Sequence, residues 1–369
     1  MDPSGLIAGL ELFSGKKIDP KDTLIIFDEV QEVPRALASL KYFCEEAPQY
    51  TIVCAGSLVG IALHDKTSFP VGKVDFLDLY PMSFNEFLRA SSGDRFAEVL
   101  KKQDHDMIRS FRQTYVDALR TYYFVGGMPE AVSAYCENHD FAEVRMIQRR
   151  ILDAYEQDFS KHAPVSVVPK IRMAWNSIPA QLDKENKKFI YGLVKEGGRA
   201  KKFETAIMWL CDCGLVHRVS RVSAASVPLK AYEDQKAFKL YMLDVGLLGC
   251  MAGLDARTIL DGNALFTEFK GALTEQYVCQ QLKTLSGLGV YYYTNGRSSC
   301  EVDFILKKDG LVIPAEVKAE TNLKSKRLRT YMEKFDPPFA LRMSMADFKR
   351  EEKIVNLPLY CAEEADSFF

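Results

Sequence analysis

The sequence predicts a multidomain α/β protein: a partial parallel sheet first, a helical middle, and a second α/β module towards the carboxyl end. Three observations predict it. Residues 23–28 (Thr-Leu-Ile-Ile-Phe-Asp) and 51–55 (Thr-Ile-Val-Cys-Ala) are continuous apolar runs, and the segment between them carries Leu37, Leu40, Tyr42 and Phe43 at helical spacing. That is the strand–helix–strand unit of a parallel sheet. Residues 83–160 read as mostly helical, interrupted at Gly126-Gly127-Met128-Pro129. Finally, two β-prone runs, Cys300–Lys307 and Leu311–Lys318, flank Asp309-Gly310, the strongest short-range hairpin signal.

The chain has 369 residues, too many for one ordinary core, so two to four domains are expected. Hydrophobic residues make up 47% and charged residues 27%, which excludes a disordered chain. A net charge of −2 does not advertise nucleic-acid binding by the whole molecule. Such binding has to come from local patches, Arg199-Ala200-Lys201-Lys202 or Lys324–Arg329. Nine cysteines include no C-x-x-C pair, and Cys211-Asp212-Cys213 is too short a clip for zinc without partners. Reduced thiols, the lack of a signal peptide and the lack of a membrane-spanning stretch together predict a cytoplasmic protein that does not enter a membrane.

The first strand ends in Asp28-Glu29 after four hydrophobic positions. This is the Walker B arrangement, in which the Asp holds Mg²⁺, usually through water, and the Glu polarises the attacking water for phosphoryl transfer. Ser57, at the end of the second strand, stands where a polar sensor would meet a γ-phosphate. A third strand is expected from Lys73 to Leu79, ahead of Pro81. Further on, helices at Lys188–Lys195 and Phe203–Cys211, the Gly197-Gly198 break and a strand at Val216–Val222 suggest a winged helix. In that reading Arg199, Lys201 and Lys202 meet phosphates, and His217 and Arg218 are exposed residues of the wing. A plain helical connector fits the same pattern. Asp244–Leu248 opens another helix, and residues 264–286 form a long amphipathic one holding Glu268, Glu275 and Gln276. A strand (Val290–Thr294), the hairpin, a basic helix (324–335) and a strand pair (Pro338–Met343, Lys353–Leu359) complete the chain.

A two-residue turn at Asp309-Gly310 fixes the hairpin register. Lys308 then faces Leu311, Asp303 faces Glu316, and Glu301 faces Lys318. All four charged side chains project from one face. Facing carboxylates at Asp303 and Glu316 are unfavourable unless a cation lies between them, and Mg²⁺ suits that place.

Together with the Walker B strand, several stretches give the chain a family resemblance: Ala55-Gly56-Ser57-Leu58, residues 68–76, Leu79–Phe84, Gly126–Glu130, Pro228-Leu229-Lys230 and Phe238–Leu248. It resembles bacterial and archaeal AAA+-type (P-loop) ATPases that carry a carboxy-terminal domain of the PD-(D/E)XK nuclease-like type, over nearly its whole length. The resemblance implies a partial ATPase core over residues 1–100, a helical lid over 101–165, a winged-helix-like module over 166–250 and a nuclease-like domain over 251–369. It implies ATP and Mg²⁺ as cofactors, nucleic acid as partner and possible oligomers. Such nucleases place an Asp on one strand and Glu-x-Lys on its neighbour, matching Asp303 and Glu316-Val317-Lys318, and take a further Glu from a preceding helix. Glu275 is the first choice for that Glu and Glu268 the second. Asp303, Glu316 and Glu275 would hold the metal, and Lys318 would steady the attacking water or the developing charge. One departure matters: nothing in the chain matches the Walker A pattern G-x-x-x-x-G-K-[ST]. The sequence therefore resembles one that begins after its phosphate-binding loop, and by itself it is not expected to bind ATP in the usual way. A non-catalytic scaffold with vestigial sites is the alternative reading.

Overall fold

The computed structural model describes residues 2–56, 72–184, 187–261, 267–295 and 300–369. It divides into two units, Met1–Leu79 with Met208–Leu215, and Tyr80–Ile207 with Val216–Phe369.

In the first unit, helix α1 (Pro3–Ser14) starts at Asp2, whose carboxylate accepts the Ser4 and Gly5 N–H groups. Strand β1 (Leu24–Phe27), helix α2 (Pro34–Glu46) and strand β2 (Thr51–Cys54) follow. The strands pair in parallel from Leu24–Thr51 to Phe27–Cys54, as the apolar runs predict. Alternation turns Ile25 towards a small core with Ile7, Phe43 and Ala47, and leaves Leu24 and Ile26 exposed. The expected third strand is absent: residues 73–79 form no ladder among the described residues. Their apolar–Asp alternation is a strand pattern only where a neighbour supplies backbone partners.

The second unit is built on helices α3 (Phe84–Ser92), α4 (Arg112–Val125) and α5 (Phe141–His162), with shorter helices between them, and on one mixed sheet. Helix α6 (Ala200–Asp212), which from Met208 on counts with the first unit, precedes strand β3 (Val216–Val222), which pairs antiparallel with β4 (Glu233–Met242). After helix α7 (Val245–Met251) and helix α8 (Thr267–Thr284) come β5 (Gly289–Thr294), β6 (Glu301–Lys308) and β7 (Leu311–Val317). Helix α9 (Lys326–Phe335) and strands β8 (Ala340–Ser344), β9 (Lys349–Glu351) and β10 (Ile354–Pro358) complete the unit. The strand order is β4-β3-β5-β6-β7-β8-β10-β9.

Three expectations change here. Strand β3 is not a free wing, because it also pairs in parallel with β5 inside this sheet. Of the helix expected at Lys188–Lys195, only Tyr191–Val194 forms. Helix α8 is not amphipathic either: every residue from Ala272 to Leu282 is buried. A helix buried all round needs partners for its polar side chains, and α8 supplies them with backbone. Gln276 caps both polar groups of Met242, Gln280 accepts the Val245 N–H, and Gln281 accepts the Phe84 N–H.

One junction ties these elements together. Asp244 caps α7 through the Leu247 N–H (2.9 Å) and also accepts the Gly127 N–H (2.7 Å) and the Gln280 amide (3.2 Å). The Gly126-Gly127 break and the Asp244–Leu248 segment, far apart in sequence, are therefore two halves of one buried joint.

Candidate functional site

The hairpin forms as the turn residues dictate. Asp309 and Gly310 both adopt positive φ (47° and 83°), the two-residue turn that suits a tight hairpin. Pairing runs from Lys308–Leu311 to Phe304–Ala315 in the predicted register. One step further the strands part. The Val317 N–H turns to the Asp303 carboxylate (2.8 Å), and β7 pairs onward with β8. The expected Glu301–Lys318 pair is therefore replaced. Lys318 pairs with Glu316 (2.7 Å) and Glu301 with Lys239 (3.1 Å).

A cavity of about 170 Å³ is lined by Glu275, Glu301, Asp303, Glu316, Lys318 and Lys187 among others. Helix α8 supplies Glu275, β6 supplies Glu301 and Asp303, and β7 leads to Glu316 and Lys318. The structure thus brings all four expected side chains to one cavity, but not the three acids into one coordination shell. Among the described residues no group of three or more His, Cys, Asp or Glu stands close enough to hold a metal ion. The reason is the company Glu275 keeps. Its carboxylate takes Lys187 (2.7 Å) and Lys239 (3.0 Å), and the Tyr241 hydroxyl donates a short hydrogen bond to it. Burial would raise the Glu275 acid, but Lys187 and Lys239 outweigh it and hold the group down at about 2. Asp303 goes the other way. Burial, then repulsion from Glu275, push it up to about 6 against the pull of the two lysines. Glu316 is 5% exposed, and its Oε2 is buried with no hydrogen-bond partner. Such an orphaned buried carboxylate oxygen is costly unless something positive meets it.

Lys239 and Lys187 are the residues that sequence reasoning missed. Lys239 had a signal: it sits inside the apolar run Ala237–Met242, where a lysine has to find a buried acid. Lys187 lies in a polar stretch that singles out nothing.

The remaining expected residues lie elsewhere. Asp28 and Glu29 are exposed at the carboxyl end of β1, where parallel sheets place ligands. The Asp28 carboxylate accepts the Glu29 N–H (3.0 Å), and Glu29 itself is left-handed (φ 49°). Ser57 lies outside the described residues, as does the side chain of Glu268. Arg199, Lys201 and Lys202 are exposed at the start of α6. His217, expected on an exposed wing, is instead part-buried, with its Nε2 sealed off and unpartnered. Burial, then nearby Lys283, lower it to about 3. Folding therefore favours the neutral ring. Its contribution is whole above the unfolded value near 6.5 and declines as pH falls towards 3, by at most about 1.4 kcal/mol per pH unit. Urea titrations from pH 7 to pH 4 are expected to show His217→Gln with a flatter acid limb than the parent. Parallel limbs would contradict this account of His217.

Residues 7–88 match the family model of an AAA domain. That segment is similar to an AAA domain. Residues 116–258 and 270–362 match two domains of unknown function, DUF8612 and DUF4143. No curated protein matches the chain. A solved Walker-type ATPase of Pyrococcus abyssi is similar at 15% identity and a TM-score of 0.38, over 67% of this chain and 66% of its own length. No helix among the described residues is long and apolar enough to cross a membrane.

Proposed function

We propose that this ATPase relative acts on nucleic acid through a nuclease-like, divalent-cation-dependent site in its carboxy-terminal domain. What supports the reading is convergence. Glu275, Asp303, Glu316 and Lys318 come from a helix and two strands, and all line one cavity. The orphaned Glu316 Oε2, in the cavity that Asp303 also lines, suits a hard cation, and Mg²⁺ commonly uses one or two carboxylates and keeps several waters. Asp303 and Glu316 would hold the ion, while Glu275, engaged by lysines, would stand outside its ligand set. The bound ion would supply charge stabilisation for an attacked phosphodiester. Lys318, kept at Glu316 by its ion pair, would offer positive charge to a phosphorane formed at that ion. The exposed Arg199, Lys201 and Lys202 would meet the phosphate backbone.

In the amino-terminal unit, Asp28 and Glu29 fit the metal side of a nucleotide site. The chain holds no Walker A sequence to cradle phosphates, so the residues present do not make a complete ATP site.

The test is Mg²⁺-dependent nicking of plasmid DNA. Nicking is expected from the parent and is expected to be lost in Glu316→Gln and in Lys318→Met, with both variants still folded. Cleavage that survives Glu316→Gln contradicts the assignment. Cation binding without any cleavage would favour a second reading, a non-catalytic nucleic-acid scaffold. The observation behind that reading is the pairing of Glu275 with Lys187 and Lys239.

A further inference from the structure

Lys239 occupies an unusual position. Its side chain is fully buried on β4, and its ammonium lies 3.0 Å from Glu275 and 3.1 Å from Glu301. These acids come from different elements, α8 and β6. Asp303 also feels the same ammonium. A lysine buried this deeply would ordinarily shed its proton. Here burial pulls in that direction, and Glu275 and Glu301 more than reverse it, so the group stays charged.

We propose that the Lys239 ammonium is a built-in cation that fills the Glu275–Glu301 slot in place of a metal ion. It acts as a positioning residue that reserves the cavity for a single exchangeable divalent ion at Asp303 and Glu316. Charge and space support this. Glu275 and Glu301 would repel each other across the slot, and one fixed ammonium offsets that repulsion without an exchangeable ion. An ammonium offers one positive charge and three hydrogen-bond donors but no coordination position for a water, so it organises the acids without polarising a water as a divalent ion would. The inference deepens the nuclease-like reading in one respect, the number of ions the site takes. The claim about the slot itself stands apart from cleavage.

The test is Lys239→Met in the full chain, with thermal unfolding followed with and without MnCl2. Removing the ammonium leaves Glu301 without this ion pair, while Glu275 keeps Lys187 and Tyr241, and opens the space between the two acids. Mn²⁺ is expected to raise the melting temperature of Lys239→Met clearly more than that of the parent, with one more Mn²⁺ bound per chain than the parent binds. If the variant does not fold unaided, addition of MnCl2 is expected to restore its circular-dichroism signal. A variant that gains no Mn²⁺ site, or is not rescued by Mn²⁺ when unfolded, overturns the proposal. The two readings fail separately. A parent that binds no Mn²⁺ while the variant binds one would end the nuclease-like reading and leave the built-in cation standing.

Discussion

Gly126→Ala is expected to cost about 3–5 kcal/mol of stability and to leave the second unit largely unfolded near physiological temperature. Gly126 ends α4 with φ 72° and ψ −164°, a conformation open in practice only to glycine. A Cβ there would also lie 2.2 Å from the Asp244 carboxylate. That carboxylate cannot retreat, because it caps α7 and holds the Gly127 N–H. Strain and overpacking therefore add. Gly271→Ala is the control in the same unit. It sits inside α8, and a Cβ there meets nothing within 4 Å. Alanine at that place should be neutral or stabilising by up to about 1 kcal/mol. Urea denaturation of both variants checks the pair. Equal stabilities would contradict the account of the Asp244 joint.

Lys239→Met, without added metal, is expected to lose a similar amount, about 3–5 kcal/mol, because removing one member of a buried ion pair strands the other. Glu275 keeps Lys187 and Tyr241, so the exposed weakness is Glu301, whose ion pair is with Lys239. Adding Glu301→Gln should therefore recover part of the loss. A double-mutant cycle should return a coupling of about 1–3 kcal/mol between the two positions. Additive losses would mean that Lys239 acts by packing alone.

The legibility of this chain follows the range of the forces involved. The hairpin register was readable because a two-residue turn leaves the ladder no freedom, and Asp309-Gly310 dictates that turn. The parallel pairing of β1 and β2 was readable from two uninterrupted apolar runs. What failed depended on neighbours. Residues 73–79 have strand spacing but form no ladder among the described residues. Helix α8 carries Glu275, Gln276, Gln280 and Gln281 and so looked half-exposed, yet those glutamines serve backbone groups of other segments. The strand at 216–222 was legible as a strand, but its membership of the large sheet was not, since β5 lies some seventy residues away. At the site, resemblance supplied Glu275, Asp303, Glu316 and Lys318. It could not supply the lysines that claim Glu275: Lys239 stands out as a lysine in an apolar run but that run does not name its partner, and Lys187 lies in a polar stretch that singles out nothing.

The account depends on Asp303 and Glu316 acting as one cation site at the mouth of the hairpin. Electron paramagnetic resonance of free Mn²⁺, titrated against the full chain, tests this most directly. The parent is expected to take up one Mn²⁺ per chain, and Asp303→Asn and Glu316→Gln, both folded, are each expected to take up none. Uptake unchanged by either substitution, or no uptake by the parent at millimolar Mn²⁺, would contradict it.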